Sequence, residues 1–475
     1  MNDVRKTQVA VIGAGPGGYA AAFHAADLGL KVTLIDVEPN PGGVCLYRGC
    51  IPSKAFLHCA KVLTDAREAA HWGIIFGEPQ IDLARMRASK DEVVAQMTGG
   101  LGQLTRARKI DFLQGRARFE EADLLCITRE DGAEERLTCE HVILATGSRP
   151  ATLPDLYIES PRIMNSTTAL QIEDIPETLL VIGGGYIGLE LGSVYAALGV
   201  KVTVVEMAPQ LLPGADSELV EVLAARVRQI FHEILLNTKV AAVREVPDGI
   251  EVVLENGGGV KRTARFEKVL VSIGRKPNSS GLNLQATHVE IGEKGFVRVD
   301  EQRRTQDPRI FAIGDVVGEP MLAHKASHEG RVAAEVIAGQ KAVFDPRAIP
   351  AVVFTDPELA WTGLTENQAR KEGIEIETAR FPWTASGRAS TLHRTDGLTK
   401  IISEPGSGRI LGVGIVGAGA GELIAQGTLA IEMGATAADV QLTIHPHPTL
   451  SETVMETAEM IFGHGTHIYR PKKAE

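Results

Sequence analysis

Two stretches of this 475-residue chain repeat one another without a gap, and that repeat constrains the fold more than any other feature. Val9-Ala10-Val11-Ile12 is a short apolar run, rich in β-branched residues, that ends in the turn Gly13-Ala14-Gly15-Pro16-Gly17-Gly18. Tyr19 to Leu28 is Ala-rich and helix-compatible, Gly29 suits a left-handed helix stop, and Lys31 to Ile35 reads as a second strand closed by Asp36. The design returns at Leu179-Leu180-Val181-Ile182, with Gly183, Gly185, Gly188, Gly199 and Glu206 standing where Gly13, Gly15, Gly18, Gly29 and Asp36 stand in the first copy. One G-x-G-x-x-G turn is common, but strand, helix and terminal acid agreeing twice at equal spacing indicate two βαβ units that each cradle a dinucleotide. The glycines let the backbone approach a pyrophosphate at a helix N-terminus, where free N–H groups and the helix dipole favour negative charge. Asp36 and Glu206 are then placed to accept ribose hydroxyls. A carboxylate at Glu206 repels a 2′-phosphate, and Met207-Ala208-Pro209-Gln210 offers no arginine to receive one, so NAD is expected rather than NADP.

A chain of this length exceeds a single core and implies several domains. Its net charge of −11 argues against nucleic acid or an anionic membrane surface as the main partner. The apolar stretch Ile410 to Ile431 is interrupted by glycines, Glu422 and Gln426, so no membrane insertion is expected. Val9 to Ala26 could imitate a secretory signal, but its Gly-rich turn fits strand–turn–helix better, and a cytoplasmic protein is expected. Five cysteines are too few and too uneven for a disulfide framework, and Cys59, Cys126 and Cys139 read as buried small hydrophobes.

Cys45 and Cys50 are different. They lie in Gly42-Gly43-Val44-Cys45-Leu46-Tyr47-Arg48-Gly49-Cys50-Ile51-Pro52-Ser53-Lys54, directly after the first acid. Four intervening residues are not zinc-ribbon spacing and no second Cys/His pair accompanies them, so no metal site is expected. Pro52 suits the first turn of a helix running through Ala60, which puts Cys50 near a helix N-terminus. That position, with Arg48 and Lys54 nearby, lowers a thiol pKa, and a bend at Gly49 would bring the sulfurs together. Two buried structural thiols remain the alternative from local sequence. Far downstream, His445-Pro446-His447-Pro448-Thr449-Leu450-Ser451-Glu452 is kept out of a helix by its prolines, and Thr449 to Glu452 has the T-x-x-E form of a capping box. Thiol–disulfide exchange needs a base, and a histidine supported by a carboxylate would serve. Read without wider context, Glu452 as a cap, His447 as a structural histidine, Lys54 as a solvated helix lysine and Asp315 as a turn residue all stay open.

The cysteine segment closely resembles the active-site motif of the flavin-dependent pyridine nucleotide–disulfide oxidoreductases. The resemblance runs essentially the full length, through Ala145-Thr146-Gly147, Gly183 to Glu206, Ser272-Ile273-Gly274-Arg275, Ile310-Phe311-Ala312-Ile313-Gly314-Asp315 and the C-terminal histidines. It implies an α/β fold with two Rossmann-like dinucleotide-binding domains and a C-terminal α+β dimerisation domain. The divisions it suggests are an FAD-binding domain at 1–150, an NAD-binding domain at 151–275, a central segment at 276–345 completing the FAD half, and an interface domain at 346–475. Leu153-Pro154, Arg275-Lys276-Pro277-Asn278 and Asp345-Pro346 to Pro350 read as linkers.

The resemblance also implies roles. FAD would be held by Gly13, Gly15, Gly18, Asp36, Gly43, Lys54, Ala117, Thr146, Gly147, Asp315, Met321, Leu322 and Ala323, with His324 continuing the stretch along the flavin. NAD would be held by Gly183, Gly185, Tyr186, Ile187, Gly188, Glu190, Glu206, Val240 and Gly274. Lys54 and Glu190 would form an ion pair beside the flavin. Cys45 would face the substrate and Cys50 the flavin, while His447, supported by Glu452, would act as base on the other subunit's cysteines; His445 is left structural. The implied reaction is oxidation of a protein-bound dihydrolipoyl group by a homodimer. Its partners would be lipoyl domains and the core acyltransferase of 2-oxo acid dehydrogenase complexes, or the glycine cleavage lipoyl protein. Tyr47-Arg48 departs from the Asn-Val common between the family's cysteines, and Arg48 adds a charge that could shift the redox potential. Tyr186 resembles the nicotinamide-pocket tyrosine of glutathione reductase, which keeps a glutathione-type reductase as the alternative. A mercuric-type reductase lacks support because no cysteine pair follows Cys139, and a non-catalytic scaffold is disfavoured by the intact cysteines, His447 and fingerprints.

Overall fold

The structure, a computed structural model, describes residues 5–153 and 158–469. Strand β1 (Arg5–Ile12) is buried continuously from Val9 onward, as befits a central strand covered on both faces. It pairs in parallel with β2 (Val32–Asp36) on one side and β6 (Glu134–Leu144) on the other. Strands β3 (Asp111–Gln114), β4 (Arg116–Glu121) and β5 (Leu124–Thr128) complete the order β3-β2-β1-β6-β5-β4. Helix α1 (Pro16–Asp27) connects β1 to β2, while α2 (Gly43–Arg48), α3 (Cys50–Glu68) and α4 (Leu83–Ala107) lie between β2 and β3. Helix α3 continues well past Ala60, where the expected helix ended.

A short β7 (Ser148–Pro150) leads out of this sheet into a second one. Here β8 (Ile163–Asn165), β9 (Thr178–Ile182), β10 (Lys201–Val205), β11 (Glu233–Leu235) and the later strand Lys268–Val271 are all parallel, with helices α5 (Tyr186–Ala197) and α6 (Ser217–Ile230) between them. Strands β12 (Thr238–Val246), β13 (Gly249–Asn256) and β14 (Lys261–Phe266) form an antiparallel meander before β15 (Lys268–Val271). Arg275–Pro277, expected as linker, is instead a strand, β16, antiparallel to β7. The outgoing and returning chains run side by side there, and each satisfies the other's backbone polar groups. Of the linker expected at Leu153-Pro154, Pro154 lies outside the described residues.

The chain then re-enters the first unit. Strand β17 (Ile310–Ala312) pairs with β6, and α7 (Ala323–Ile337) lies against α1. The two helices approach closely through small residues: a Cβ on Gly330 would stand 2.6 Å from the Gly17 carbonyl oxygen. The C-terminal unit is an antiparallel sheet of β18 (Ala351–Val353), β19 (Glu358–Gly363), β20 (Glu377–Pro382), β21 (Leu398–Ser403) and β22 (Ile410–Gly417), ordered β18-β19-β22-β21-β20. Helices α8 (Glu366–Glu372), α9 (Gly387–Thr391), α10 (Ala420–Glu432), α11 (Ala437–Leu442) and α12 (Glu452–Ile461) accompany it. The fold is thus α/β, with two Rossmann-like units and an α+β unit. Among the described residues no helix is long and apolar enough to cross a membrane.

One apolar cluster spans Phe56 of α3, the core of the second sheet, and Val353, Leu359 and Val416 of the C-terminal sheet. A buried charge network reinforces that seam. Lys400, 1% exposed, places Nζ 2.6 Å from Asp216, 2.5 Å from Glu218 and 2.8 Å from Glu366, while Arg380 pairs with Glu218 and Glu366. Burial pushes the Glu218 carboxyl up, but its bonds to Lys400 and Arg380 outweigh this and bring it down to about 2. The folded value lies below the unfolded one, so this contribution to stability is complete above about pH 4.5 and is lost as pH falls toward 2. Lys400→Met leaves buried carboxylates without their cation and is expected to cost about 3 kcal/mol. Thermal unfolding followed from pH 7 to pH 3 checks this: the variant should melt lower at pH 7 and lose less on acidification than the parent.

Candidate active site

Helix α1 begins at Gly15 with no side chain capping its first turn, so its leading amides are free to meet an anion. A Cβ on Gly13 would lie 2.3 Å from the Ala145 carbonyl oxygen, and one on Gly18 would lie 1.8 Å from that of Gly13, so packing demands glycine at both. Gly15 differs: a Cβ there would meet only Gly43 Cα, at 3.9 Å. It faces a cavity of ≈ 750 Å³, and Gly43 borders the same space. The Asp36 carboxylate accepts the N–H of Ala14 at 2.5 Å and of Glu38 at 3.0 Å, which fixes it on the cavity wall. The second fingerprint repeats this geometry. Cβ atoms on Gly183 and Gly188 would clash with the carbonyl oxygens of Ser272 and Gly183, at 2.5 and 2.2 Å, whereas nothing lies within 4 Å of one on Gly185. Helix α5 is likewise uncapped by a side chain, and Glu206 accepts the N–H of Gly184 at 2.7 Å and of Ala208 at 2.8 Å. Both cradles fit a dinucleotide: open space over a glycine, unpaired helix amides and a tethered carboxylate at the neighbouring strand end.

The cavity also gathers residues far apart in sequence. Lys54, Ala117, Thr146, Gly147, Asp315, Met321 and Ala323 line it, together with Tyr186, Ile187 and Glu190 from the first turns of α5. The wall between the two nucleotide sites is therefore shared. Gly18 and Leu322 sit behind this lining, Gly18 packed under Gly13 and Leu322 at the start of α7, where its carbonyl accepts the Ala326 N–H. Val240 packs against the apolar cluster under the second sheet, and Gly274 follows β15 with φ +115. His324 bonds the Pro350 carbonyl at 2.8 Å.

Cys45 lies in α2 and Cys50 opens α3, with the break between them at Gly49. A Cβ at Gly49 would stand 2.9 Å from the Val44 carbonyl oxygen and 3.3 Å from Cys45 Cα, so only glycine permits this fold-back. Both residues are thiols in the structure and both face the cavity, which is why Cys50 counts as exposed although protein surrounds it closely. The thiols interact directly and unequally. The Cys45 thiol, hydrogen-bonding to Cys50, together with the Lys54 charge, holds the Cys50 pKa below the ordinary thiol value against the opposing effect of burial. The same bond, with burial, pushes Cys45 far up. Lys54 Nζ lies 2.8 Å from Glu190 Oε2 and 4.5 Å from the Phe354 ring centre. The second Glu190 oxygen accepts the Phe354 N–H at 3.0 Å.

His447 does not line this cavity. Its side chain is 72% exposed and its Nδ1 lies 2.9 Å from Glu452 Oε1, while Glu452 Oε2 accepts the Thr449 N–H at 2.7 Å. Glu452 thus holds the Thr449 amide of the preceding turn and the histidine at once. The capping box expected over Thr449 to Glu452 does not form: α12 starts at Glu452 with Ser451 as its N-cap, and the Thr449 hydroxyl bonds Pro446 and Ser451 instead. Burial raises the Glu452 pKa, but the Thr449 N–H and His447 outweigh it, leaving the carboxyl below its usual range.

Residues 7–330 match the pyridine nucleotide-disulphide oxidoreductase family, and residues 349–458 match the dimerisation domain of the same family. The chain belongs to the pyridine nucleotide-disulphide oxidoreductases. It is 48% identical to a dihydrolipoyl dehydrogenase of Haemophilus influenzae over 475 residues, covering 100% of this chain and 99% of the relative. It is 44% identical to that of Geobacillus stearothermophilus, covering 98% of each chain. Among solved structures it is similar to LpdA of Mycobacterium tuberculosis, with a TM-score of 0.88 and 28% identity, covering 96% of this chain and 99% of that one. It is also similar to the HOCl-induced flavoprotein disulfide reductase RclA of Escherichia coli, solved as a Cu(II) complex, with a TM-score of 0.86 and 27% identity over 96% of this chain and 100% of that one. As a member of this oxidoreductase family the chain uses FAD and NAD, and its dimerisation domain makes it a homodimer. Among the described residues no cluster of three His, Cys, Asp or Glu could hold a metal ion.

Against the family motif, Arg48 is a correction. It lines the cavity with the thiols, as expected, but its guanidinium is engaged by Glu38, and its charge opposes the rise that burial gives the Asp36 carboxyl. The short helix α2 turns that side chain back toward the loop after β2. Cys126 and Cys139 are buried as expected, whereas Cys59 is only half-buried on α3. Two groups escaped sequence reasoning. Arg275, which reads in sequence as motif and linker, lines the cavity and donates to Ser148, whose hydroxyl in turn lies 2.5 Å from Asp315. Glu329, fully buried in α7, accepts the Gly314 N–H at 2.6 Å and pairs with Arg303 and Lys325, which anchors the turn carrying Asp315. Arg275 could have been flagged as a charge inside a Gly-containing motif; no local signal marks Glu329. Lys54→Met removes the cation that favours the Cys50 thiolate and is expected to raise that pKa by roughly one unit or more. The thiolate ultraviolet absorbance of the reduced protein, titrated with pH, should move to higher pH by that amount.

Proposed function

We propose that this chain works as a dihydrolipoyl dehydrogenase, oxidising a protein-bound dihydrolipoyl group in a site that two subunits share. The observation that carries the residue roles is the separation of two prepared parts: an unequal thiol pair inside the cavity and an exposed His447–Glu452 pair that does not line it. A base held on one subunit and presented to the partner's thiols reconciles them. Full-length likeness to dihydrolipoyl dehydrogenases supports the substrate class.

His447 of the partner subunit takes a proton from one substrate thiol, and Glu452 orients its ring and stabilises the imidazolium. The substrate thiolate attacks Cys45 Sγ of the Cys45–Cys50 disulfide and forms a mixed disulfide, with Cys50 leaving as thiolate. Cys50 leaves rather than Cys45 because its thiolate is the one that Lys54 and the Cys45 thiol favour. The second substrate sulfur then displaces Cys45, releasing the cyclic disulfide and the enzyme dithiol. FAD bound in the cavity supplies the two-electron acceptor that reoxidises the dithiol, and NAD is the final acceptor. Gly13, Gly15 and Asp36 would hold the first cofactor, with Asp315 and Met321–Ala323 along it; Gly183, Gly185 and Glu206 would hold the second. In this reading the chain acts in the cytoplasm and meets lipoyl domains of 2-oxo acid dehydrogenase complexes or of glycine cleavage.

His447→Gln is expected to lower dihydrolipoamide turnover roughly a hundredfold or more while NADH oxidation by artificial acceptors persists. Equal loss of both activities would make the histidine structural. Anaerobic titration with dihydrolipoamide should develop a long-wavelength absorbance band that Cys50→Ser lacks.

A further inference from the structure

The two strands that cross between the first and second units form a short ribbon, and two of its side chains reach the cavity. Strands β7 and β16 run antiparallel, with Arg275 opposite Pro150 and Pro277 opposite Ser148. Both ends of the ribbon are closed: the Ala151 N–H bonds the Gly274 carbonyl at 3.0 Å, and the Asn278 N–H bonds that of Gly147 at 2.9 Å. The Asn278 side chain also donates to the Thr146 carbonyl at 3.0 Å, and the Thr146 hydroxyl donates to the Asn278 carbonyl at 2.8 Å. On this frame Arg275 grips one residue twice. Its Nε donates to the Ser148 hydroxyl at 2.6 Å and its Nη2 to the Ser148 carbonyl at 2.8 Å. A planar guanidinium held at two points keeps one orientation.

Ser148 is 2% exposed, and its hydroxyl lies 2.5 Å from Asp315 Oδ2. A guanidinium only donates, an ionised carboxylate only accepts, and a hydroxyl has a single hydrogen. With one lone pair taken by the Arg275 N–H, the Ser148 hydrogen therefore goes to Asp315. Arg275 Nε stands 4.0 Å from the same carboxylate oxygen, so a positive charge lies close behind the bond. Oδ2 is thus committed to the protein, whereas Oδ1 has no protein partner among the described residues, and Asp315 lines the cavity. Glu329 holds the Gly314 N–H at 2.6 Å, so the backbone of this turn and its carboxylate are fixed independently. Arg275 also lies near enough to α5 that its charge opposes the rise burial gives the Tyr186 hydroxyl.

We propose that Arg275 is a positioning residue for the flavin: acting through Ser148, it locks one oxygen of Asp315 and leaves the other turned to the cavity, to accept a hydroxyl of the bound cofactor. This rests on the reading of Asp315 as a holder of FAD. Arg275 needs no contact of its own with the cofactor, and the grip on the flavin depends on the pairing of the two crossing strands.

The test follows FAD release from the flavin-loaded dimer on dilution, read as the rise of free flavin fluorescence, with circular dichroism to show that each variant stays folded. Arg275→Met and Ser148→Ala are each expected to speed release about tenfold, the effect of losing one hydrogen bond to a charged group. The double variant should release FAD no faster than either single one, because both changes break the same relay. Parental release in Arg275→Met overturns the proposal. So does a double variant in which the two effects multiply, since Arg275 would then act by a route that bypasses Ser148. Parental release in Ser148→Ala overturns it too, and that outcome needs no folded Arg275 variant. If instead Asp315→Asn releases FAD at the parental rate, the reading of Asp315 itself fails, whatever Arg275 does.

Discussion

Glu190 places a carboxylate where three parts of the chain meet, with Lys54 of α3 on one oxygen and the Phe354 N–H of the C-terminal unit on the other. At 3% exposure it is almost wholly buried, and leaving a charge there unpaired costs about 3 kcal/mol. The helix after the cysteines, the helix of the second fingerprint and the entry to the C-terminal sheet therefore have one favourable mutual arrangement. The same contact decides the chemistry, because it holds the Lys54 ammonium beside Cys50 and brings Tyr186 and Ile187 onto the wall of the first cavity. Docking of the units and activation of the thiol are consequences of a single ion pair.

Carboxylates that receive backbone N–H groups recur wherever this protein needs a rigid turn. Asp36 and Glu206 each take two amides at the ends of β2 and β10, Glu329 takes that of Gly314, and Glu452 takes that of Thr449. Each such bond spares an amide that would otherwise be buried unpaired, and leaves carboxylate lone pairs for another partner. Glu452 uses the spare capacity for His447, and Glu329 uses it for Arg303 and Lys325. Holding a turn amide and holding a second side chain are thus compatible tasks for one carboxylate.

The thiol pair shows how proximity produces asymmetry from two identical groups. One sulfur at the start of α3, beside an ammonium, becomes the favoured thiolate, and the other becomes its hydrogen-bond donor. The His447–Glu452 pair lies outside that cavity, on the surface of the C-terminal unit.

Local regularities sufficed to read the two dinucleotide units, the fold-back that brings Cys45 and Cys50 together and the contact of His447 with Glu452. Glycine spacing, strand and helix periodicity and capping residues act over a few residues, so they are written along the chain. The break at Gly49 belongs to this class, since only glycine tolerates the approach of Val44 and Cys45 there. What tertiary structure alone decided are contacts between distant segments. Arg48 is engaged by Glu38, Arg275–Pro277 pairs with Ser148–Pro150 instead of linking loosely, and Glu329 steadies Asp315 from another helix. His467 meets Glu456 of α12 because the chain after Ile461 turns back onto that helix. A charge acts through space on whatever folding brings near, and the order of residues does not state which group that will be.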